Sequence, residues 1–164
     1  LRALALLPGW VSLLLPGDGV LLENCRRLAD ELGVSRRTYF PGQVQDMAPW
    51  YAASNAATSS SLSEGLPFNI MEAMYLGLPV VASAVKGHID LLGDGVHGLL
   101  FPSKDSVSCA EQIMELIRRP DLRTGMSIAA RTSVGVYALE QVLPQVMECY
   151  LKTAGVPEYT GEYF

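Results

Sequence analysis

The chain has 164 residues, of which 49% are hydrophobic, and this is enough for one domain with a sizeable core. Its formal net charge of −5 argues against a nucleic-acid partner, because surfaces that bind nucleic acid normally carry a basic stripe. Pro8, Gly9 and Pro16 interrupt the apolar opening, which also lacks the flanks and cleavage site of a signal peptide. We therefore expect a cytoplasmic protein with no direct membrane insertion.

The cysteines and histidines follow no metal-binding or disulfide pattern. Cys25, Cys109 and Cys149 are far apart, each in a helical pattern, and the chain has only two histidines. An odd, scattered set of cysteines suits neither a disulfide framework nor a zinc site. We therefore expect reduced structural thiols, no bound metal and no cofactor.

Short runs typical of strands alternate with runs of helical spacing along the chain. In chain order, strands are predicted at 11–15, 36–40, 55–60, 77–83 and 97–101. Helical segments are predicted at 1–7, 20–33, 46–54, from about 66 or 67 onward, and at 88–93, 105–119, 121–133 and 138–155. Asp105 is a predicted helix N-cap, and Pro144 is expected to kink or restart the last helix.

This alternation predicts a doubly wound α/β fold, with a parallel sheet and helices on both faces. The strands are short and apolar throughout, which is typical of strands that are buried on both sides. Because the chain opens with a helical run, we expect the first strand of a Rossmann-like half to be missing. We assign 1–155 to this Rossmann-like domain and 156–164 to a C-terminal tail.

The stretch SEGLPFNIMEAM, residues 63–74, places two carboxylates on either side of a predicted helix start. Pro67 is favoured in a first helical turn, so Glu64 lies in the preceding loop and Glu72 inside the helix. Free N–H groups at 66–69 and the positive end of the helix dipole favour an anion there, above all a phosphate. A ligand with hydroxyl groups on both sides of a phosphate, such as a nucleotide sugar, would satisfy both carboxylates.

An interpretation without a ligand is open as well. Glu72 could be an exposed helix residue, and Glu64 could be a loop charge that the nearby helix N-terminus stabilises. The spacing of the two carboxylates does not by itself decide between these interpretations.

The order of motifs from Ser61 to Asp105 resembles the C-terminal, donor-binding domain of the retaining glycosyltransferases of family 4, which have the GT-B fold. Residues 64–74 resemble the E-x7-E motif of that family. GLPVVAS, KGHIDLL and DGVHGLLFPSKD follow in the family's order, at 77–83, 86–92 and 94–105, and LLLPGDG and YFPGQV match upstream. The KGHID variant is most similar to enzymes that build bacterial capsular polysaccharides and exopolysaccharides.

The resemblance implies a role for each part of the site. Glu64 would be the catalytic residue and would bind hydroxyls of the transferred sugar near the reacting carbon, while Glu72 would hold the ribose hydroxyls. The segment that would meet the sugar hydroxyls and the diphosphate comprises Gly65, Leu66, Pro67, Phe68 and Asn69.

The nucleotide and its charge would involve further residues. Gln43 and Val44 would lie against the base through their backbone, and Gly17 would leave room for the nucleotide. The family's basic pair lies in a segment that this chain does not contain. Lys86 is expected to add positive charge near the phosphates, and His88 to meet the sugar or a phosphate, although each could be an ordinary loop or helix-start residue.

We therefore expect the donor-binding domain of a retaining hexosyltransferase that uses a nucleoside diphosphate sugar, a UDP-sugar first of all, in polysaccharide or glycoconjugate synthesis. Its partner would be a missing N-terminal acceptor-binding domain, which could bring the protein to the inner membrane surface. The fragment alone is expected to be inactive. The alternatives are a nucleotide-sugar epimerase of similar fold and a non-catalytic α/β binding module.

Overall fold

A computed structural model describes residues 1–154 of the chain. The strands are β1 Leu13–Pro16, β2 Thr38–Gly42, β3 Ala57–Ser59, β4 Val80–Ser83 and β5 Gly98–Phe101. The helices are α1 Arg2–Leu6, α2 Leu22–Glu31, α3 Ala48–Ala52, α4 Phe68–Tyr75, α5 Lys86–Leu91, α6 Ser106–Arg118, α7 Pro120–Val134 and α8 Leu139–Ala154. Single 3-10 turns occupy Ser35–Arg37 and Gly135–Tyr137. The predicted domain boundary and the tail 156–164 lie outside the described residues.

All strand pairs are parallel, and they form two groups. β1 pairs with β2, while the second group has the order β3, β4, β5. Within residues 1–154 no strand pairing joins the two groups, so the sheet is divided where the sequence predicted one sheet. Helix packing connects them instead, because α1 lies against α6, and α6 contacts β4 and β5.

Helices cover both faces of the second group. Side chains alternate along a strand, so Val80 and Ala82 of β4 point to one face and Val81 to the other. The first face packs against α4, α5 and α7 through Ile70, Met74, Leu91, Ala130 and Val134. The second packs against α6 and α7 through Cys109, Leu116 and Met126, together with Leu99 and Phe101 of β5. The predicted α/β class with parallel strands is confirmed.

Arg37 ties the N-terminal segment to the first strand group. Its Nη1 donates to the carbonyls of Pro8 and Val11, at 2.9 and 3.1 Å. Its Nη2 donates to those of Leu4 and Leu7, at 2.8 and 3.3 Å. One guanidinium therefore donates to four carbonyls of the segment 4–11, of which those of Leu4 and Pro8 also accept from the N–H groups of Leu7 and Val11.

Proline placement accounts for two differences from the predicted helices. Pro67 is the N-cap of α4, with φ −81° and ψ 85°, so this helix begins at Phe68, one or two residues later than expected. Pro144 lies inside α8, which neither stops nor restarts there. Because α8 has no buried residue, water can bond to the carbonyl of Glu140 that the proline leaves free.

Two further helix starts bear on the site. α5 begins at Lys86 rather than at His88, so His88 lies within the helix. Asp105 caps α6 as predicted, because its side chain accepts from the N–H groups of Val107 and Ser108.

Candidate functional site

The predicted site residues follow the carboxyl ends of four strands. Gly17 follows β1, Gln43 and Val44 follow β2, the loop 60–67 follows β3, and Lys86 and His88 follow β4. Ligands of open parallel α/β sheets bind beyond this end of the strands. The predicted residues therefore lie where such a fold positions a ligand.

The loops after β1 and β2 are in direct contact. The Gly17 N–H donates to the Gly42 carbonyl at 2.7 Å. Gly17 has φ +136° and Gly42 has φ +77°, backbone conformations that side-chain-bearing residues rarely adopt. Gln43 is exposed and Val44 half-buried directly after this contact. The structure thus brings Gly17 close to the segment 42–44.

The N-terminus of α4 has no side-chain cap. The N–H groups of Ile70 and Met71 donate to the Pro67 carbonyl, and the N–H of Phe68 donates to the Leu66 carbonyl. The N–H groups of Gly65, Leu66 and Asn69 make no hydrogen bond to residues 1–154, and all three residues are exposed. The prediction of free donors throughout 66–69 is therefore too wide, since Pro67 has no N–H and Phe68 uses its own.

Glu64 lies in the loop before α4, as predicted. It is half-buried, and its carboxylate makes no hydrogen bond or ion pair with residues 1–154. Its backbone touches α5, because a Cβ built on Gly87 would lie 2.7 Å from the Glu64 carbonyl oxygen and 2.6 Å from that of Gly65. A partly desolvated carboxylate without a protein partner is available to bind a ligand's hydroxyl groups.

Glu72 is exposed on α4, and Tyr51 of α3 reaches it. The Tyr51 hydroxyl lies 3.0 Å from Glu72 Oε2 and 3.0 Å from the Asn69 carbonyl oxygen. Burial, followed by the hydrogen bond and the negative charge of Glu72, raises the pKa of Tyr51 to about 12. Tyr51 orients the carboxylate. Sequence reasoning missed this role, because no spacing pattern links a short helix to a residue 21 positions further on.

Lys86 is exposed and already paired. Its Nζ lies 2.6 Å from Asp90 Oδ2, one turn along α5. The hydrogen bond to Asp90, together with the charge of Asp90, raises the pKa of Lys86. Both side chains are largely solvent-exposed, so the pair is weak, and the ammonium group could turn to another anion.

His88 is fully buried rather than exposed to a ligand. Its Nδ1 lies 2.7 Å from the Ser83 carbonyl oxygen and 3.3 Å from Ser83 Oγ. Ser83 is itself fully buried and donates through Oγ to the Ser61 carbonyl at 2.7 Å. Sequence reasoning did not find Ser83 or Ser61, since serines at strand ends are common and carry no periodic signal.

An open groove of ≈ 380 Å³ lies on the first strand group. It is lined by Leu14, Thr38, Tyr39, Phe40, Pro41 and Trp50, none of which belongs to α4. Residues 1–154 contain no group of three His, Cys, Asp or Glu side chains that could hold a metal ion. None of the described helices is both long and apolar enough to cross a bilayer.

Parallel strands with helices on both faces define an α/β domain of the doubly wound class, which has an uncapped helix start between two carboxylates beyond its strand ends. Residues 1–119 match the family described as glycosyl transferases group 1. The chain therefore belongs to that family.

Two relatives illustrate the similarity within the family. The lipopolysaccharide core biosynthesis glycosyltransferase LpsE of Rhizobium meliloti is 35% identical over 143 residues, which are 87% of this chain and 42% of LpsE. A D-inositol 3-phosphate glycosyltransferase of Mycolicibacterium paratuberculosis is 34% identical over 170 residues, covering 99% of this chain and 38% of the relative. The chain thus spans about two fifths of the length of either protein.

Solved structures confirm the fold as part of a GT-B glycosyltransferase. HepE of Anabaena, in complex with UDP, superposes with a TM-score of 0.87 at 25% identity, over 92% of this chain and 43% of HepE. Sucrose-phosphate synthase of Thermosynechococcus elongatus superposes with a TM-score of 0.85 at 26% identity, over 93% of this chain and 41% of the synthase.

Proposed function

We propose that this chain is the donor-binding domain of a retaining glycosyltransferase that uses a nucleoside diphosphate sugar. The observation that carries the proposal is the start of α4, where free N–H groups of Gly65, Leu66 and Asn69 lie next to the unpartnered carboxylate of Glu64. Oriented N–H groups and the helix dipole stabilise an anion, and a carboxylate accepts hydrogen bonds from hydroxyl groups.

The diphosphate would bind at these N–H groups, with the sugar at Glu64 and the ribose at Glu72. To take the ribose hydroxyls, Glu72 would share or release its hydrogen bond with Tyr51. Gln43, Val44 and Gly17 would line the base and nucleotide side, and Lys86 would add charge by leaving Asp90. The complex of HepE with UDP supports UDP as the nucleotide to test first.

The reaction would transfer a hexosyl group with retained anomeric configuration. The bond between the anomeric carbon and the diphosphate oxygen breaks, and the acceptor hydroxyl oxygen bonds to that carbon from the face that the diphosphate leaves. The departing diphosphate takes the hydroxyl proton. Glu64 orients the sugar and stabilises the positive charge that develops on the ring, while the N–H groups stabilise the charge on the leaving diphosphate.

The acceptor would be bound by another part of the complete protein. The chain covers about two fifths of LpsE, and the name of LpsE supports a polysaccharide or glycoconjugate acceptor. We propose that such a reaction takes place in the cytoplasm, and that residues 1–164 alone bind the donor without completing the transfer.

Calorimetry with UDP and UDP-glucose tests the assignment of the two carboxylates. Glu72→Gln should weaken the binding of both ligands by about tenfold or more, because each loses a charge-assisted hydrogen bond from ribose. Glu64→Gln should weaken only UDP-glucose, because only that ligand carries the sugar. Glu111→Gln removes an exposed helix carboxylate elsewhere and should change neither affinity. Unchanged binding in both site variants would contradict the proposal.

A further inference from the structure

The loop that carries Glu64 is held in place by buried polar groups of β4 and α5. Ser83 and His88 are both 0% exposed, which is unusual for polar side chains. Buried polar groups are costly unless they are hydrogen-bonded, so the partners of these two residues show what their burial achieves.

Their hydrogen bonds run from α5 to the Glu64 loop. A carbonyl oxygen only accepts, so the 2.7 Å contact between His88 Nδ1 and the Ser83 carbonyl places a proton on Nδ1. Ser83 Oγ lies 3.3 Å from the same nitrogen and donates its own proton to the Ser61 carbonyl at 2.7 Å. Ser61 lies three residues before Glu64, so the loop is anchored on its N-terminal side.

A steric contact holds the other side of Glu64. A Cβ on Gly87 would lie 2.6 Å from the Gly65 carbonyl oxygen, 2.7 Å from the Glu64 carbonyl oxygen and 2.8 Å from Glu64 Cβ. Any side chain at 87 would push this backbone away, since real Cβ atoms essentially never approach so closely. Glycine therefore lets α5 and the loop come into direct contact.

His88 does more than fill space. Its Nε2 is buried and has no hydrogen-bond partner among residues 1–154, which is unfavourable for a polar atom. An apolar side chain of similar size would avoid this penalty. The bond from Nδ1 is therefore what distinguishes His88 from such a side chain.

We propose that Ser83, Gly87 and His88 are positioning residues that fix Glu64 in the orientation used for the donor sugar. This inference rests on the proposed function and extends it to residues that do not touch the ligand. His88 acts through Ser83 on the Ser61 carbonyl, and Gly87 acts directly on the backbone at Glu64 and Gly65.

Histidine variants separate positioning from general core packing. His88→Asn keeps an N–H donor at the Nδ1 position, His88→Gln places its amide near the Nε2 position, and His88→Leu removes the donor. We expect the backbone NMR order parameters of residues 61–65 to fall in the Leu and Gln variants and to stay near wild type in the Asn variant, because only asparagine keeps the donor that holds Ser83. UDP-glucose affinity should fall together with these order parameters, and UDP affinity should change less.

Glycine variants provide a test that does not depend on the histidine core site. Gly87→Ala should displace the loop, shifting the backbone NMR signals of Glu64 and Gly65 and weakening UDP-glucose. Gly125→Ala in α7 is the matched control, because a Cβ there meets nothing within 4 Å. It should leave the loop signals and both affinities unchanged.

The outcomes distinguish the two proposals. Loop order parameters that are unchanged in His88→Leu, or lowered equally in the Leu and Asn variants and throughout β3, β4 and β5, would overturn the positioning role. If wild-type protein binds neither UDP nor UDP-glucose, the proposed function fails. The order-parameter and backbone-shift results then still decide whether these residues hold the loop.

Discussion

At the scale of single residues, the two carboxylates of the candidate site differ in their hydrogen-bonding partners. Glu64 is half-buried and has no hydrogen-bonding partner among residues 1–154, whereas Glu72 is exposed and bonded to Tyr51. The same carboxylate that is predicted to take ribose hydroxyls is thus oriented beforehand by a phenol. Such a contact reduces the number of orientations that the glutamate must give up when a ligand binds.

The raised pKa of Tyr51 gives a prediction at this scale. Its folded-state pKa, at about 12, exceeds the ordinary value of 10.0, so the neutral phenol stabilises the folded state. This contribution is present below pH 10 and is lost as the pH rises towards 12. Denaturation as a function of pH should show wild-type protein losing more stability over this interval than Tyr51→Phe.

An alkaline titration of the Glu72→Gln variant identifies what raises the pKa of Tyr51. Glu72→Gln removes both the charge and the charged hydrogen bond, so phenolate absorbance should report a lower pKa for Tyr51, kept above 10 by burial. An identical phenolate titration in wild type and in Glu72→Gln would show that Tyr51 does not contact Glu72 in solution.

The loop position of Glu64 and the helix position of Glu72 were predictable from the sequence, because Pro67 marks a helix boundary between them. Tyr51, Ser83 and Ser61 were not found, since their contacts join segments that are distant in sequence. For His88, helical spacing alone could not reveal that the ring is buried.

At the scale of secondary-structure elements, the starts of α4 and α6 differ in how their N–H groups are satisfied. α6 is capped by Asp105, whose Oδ1 accepts from the N–H groups of Val107 and Ser108, both at 3.0 Å. α4 has Pro67 at the same position and no side-chain cap. An uncapped start leaves N–H groups free for an anion, whereas a capped start favours helix stability alone.

The cap of α6 should make stability depend on pH in the acidic range. The hydrogen bond from the Ser108 side chain, followed by the one from the Ser108 N–H, lowers the pKa of Asp105 below its ordinary value of 3.8. The ionised cap therefore stabilises the fold above pH 3.8, and this contribution is lost as the pH falls through the lowered pKa. Asp105→Ala should lower Tm at neutral pH, and the difference from wild type should shrink in acid.

Asp105→Asn is the matched variant for this prediction. Asparagine retains an oxygen that can accept from the backbone, so most of the neutral-pH stability should remain, but this residue does not titrate. A Tm difference between wild type and Asp105→Ala that stays constant from pH 6 to pH 3 would contradict the assigned cap.

At the scale of the whole molecule, helices join the two strand groups, and Arg37 ties the N-terminal segment to the first of them. The α/β class was predictable, because short apolar strands alternating with helices have few other solutions. The division of the sheet was not predictable, since strand pairing depends on which edges meet in space. The four carbonyl contacts of Arg37 were not predictable either, because nothing in the sequence distinguishes Arg37 from the neighbouring Arg36.

Replacing Arg37 should loosen the N-terminal segment. Arg37→Ala leaves several carbonyls of the segment 4–11 without their charged donor and should cost about 2–3 kcal/mol of unfolding free energy. Arg37→Lys should recover little of this free energy, because an ammonium group cannot reproduce the planar, forked set of donors of the guanidinium. Arg36→Ala, at an exposed neighbour, should stay within about 0.5 kcal/mol of wild type in urea denaturation. Equal effects at 36 and 37 would show that the contacts contribute little.

The most direct test of the account is an NMR titration of the isotope-labelled chain with UDP, following each backbone N–H. We predict that the largest shifts occur at Gly65 and Leu66, just before α4, and at Asn69 in its first turn, because these N–H groups make no hydrogen bond within residues 1–154. Smaller shifts are expected at Gln43 and Val44. Shifts confined to the groove lined by Tyr39, Phe40 and Trp50, or no shifts at millimolar UDP, would contradict the claim that this helix start binds the diphosphate.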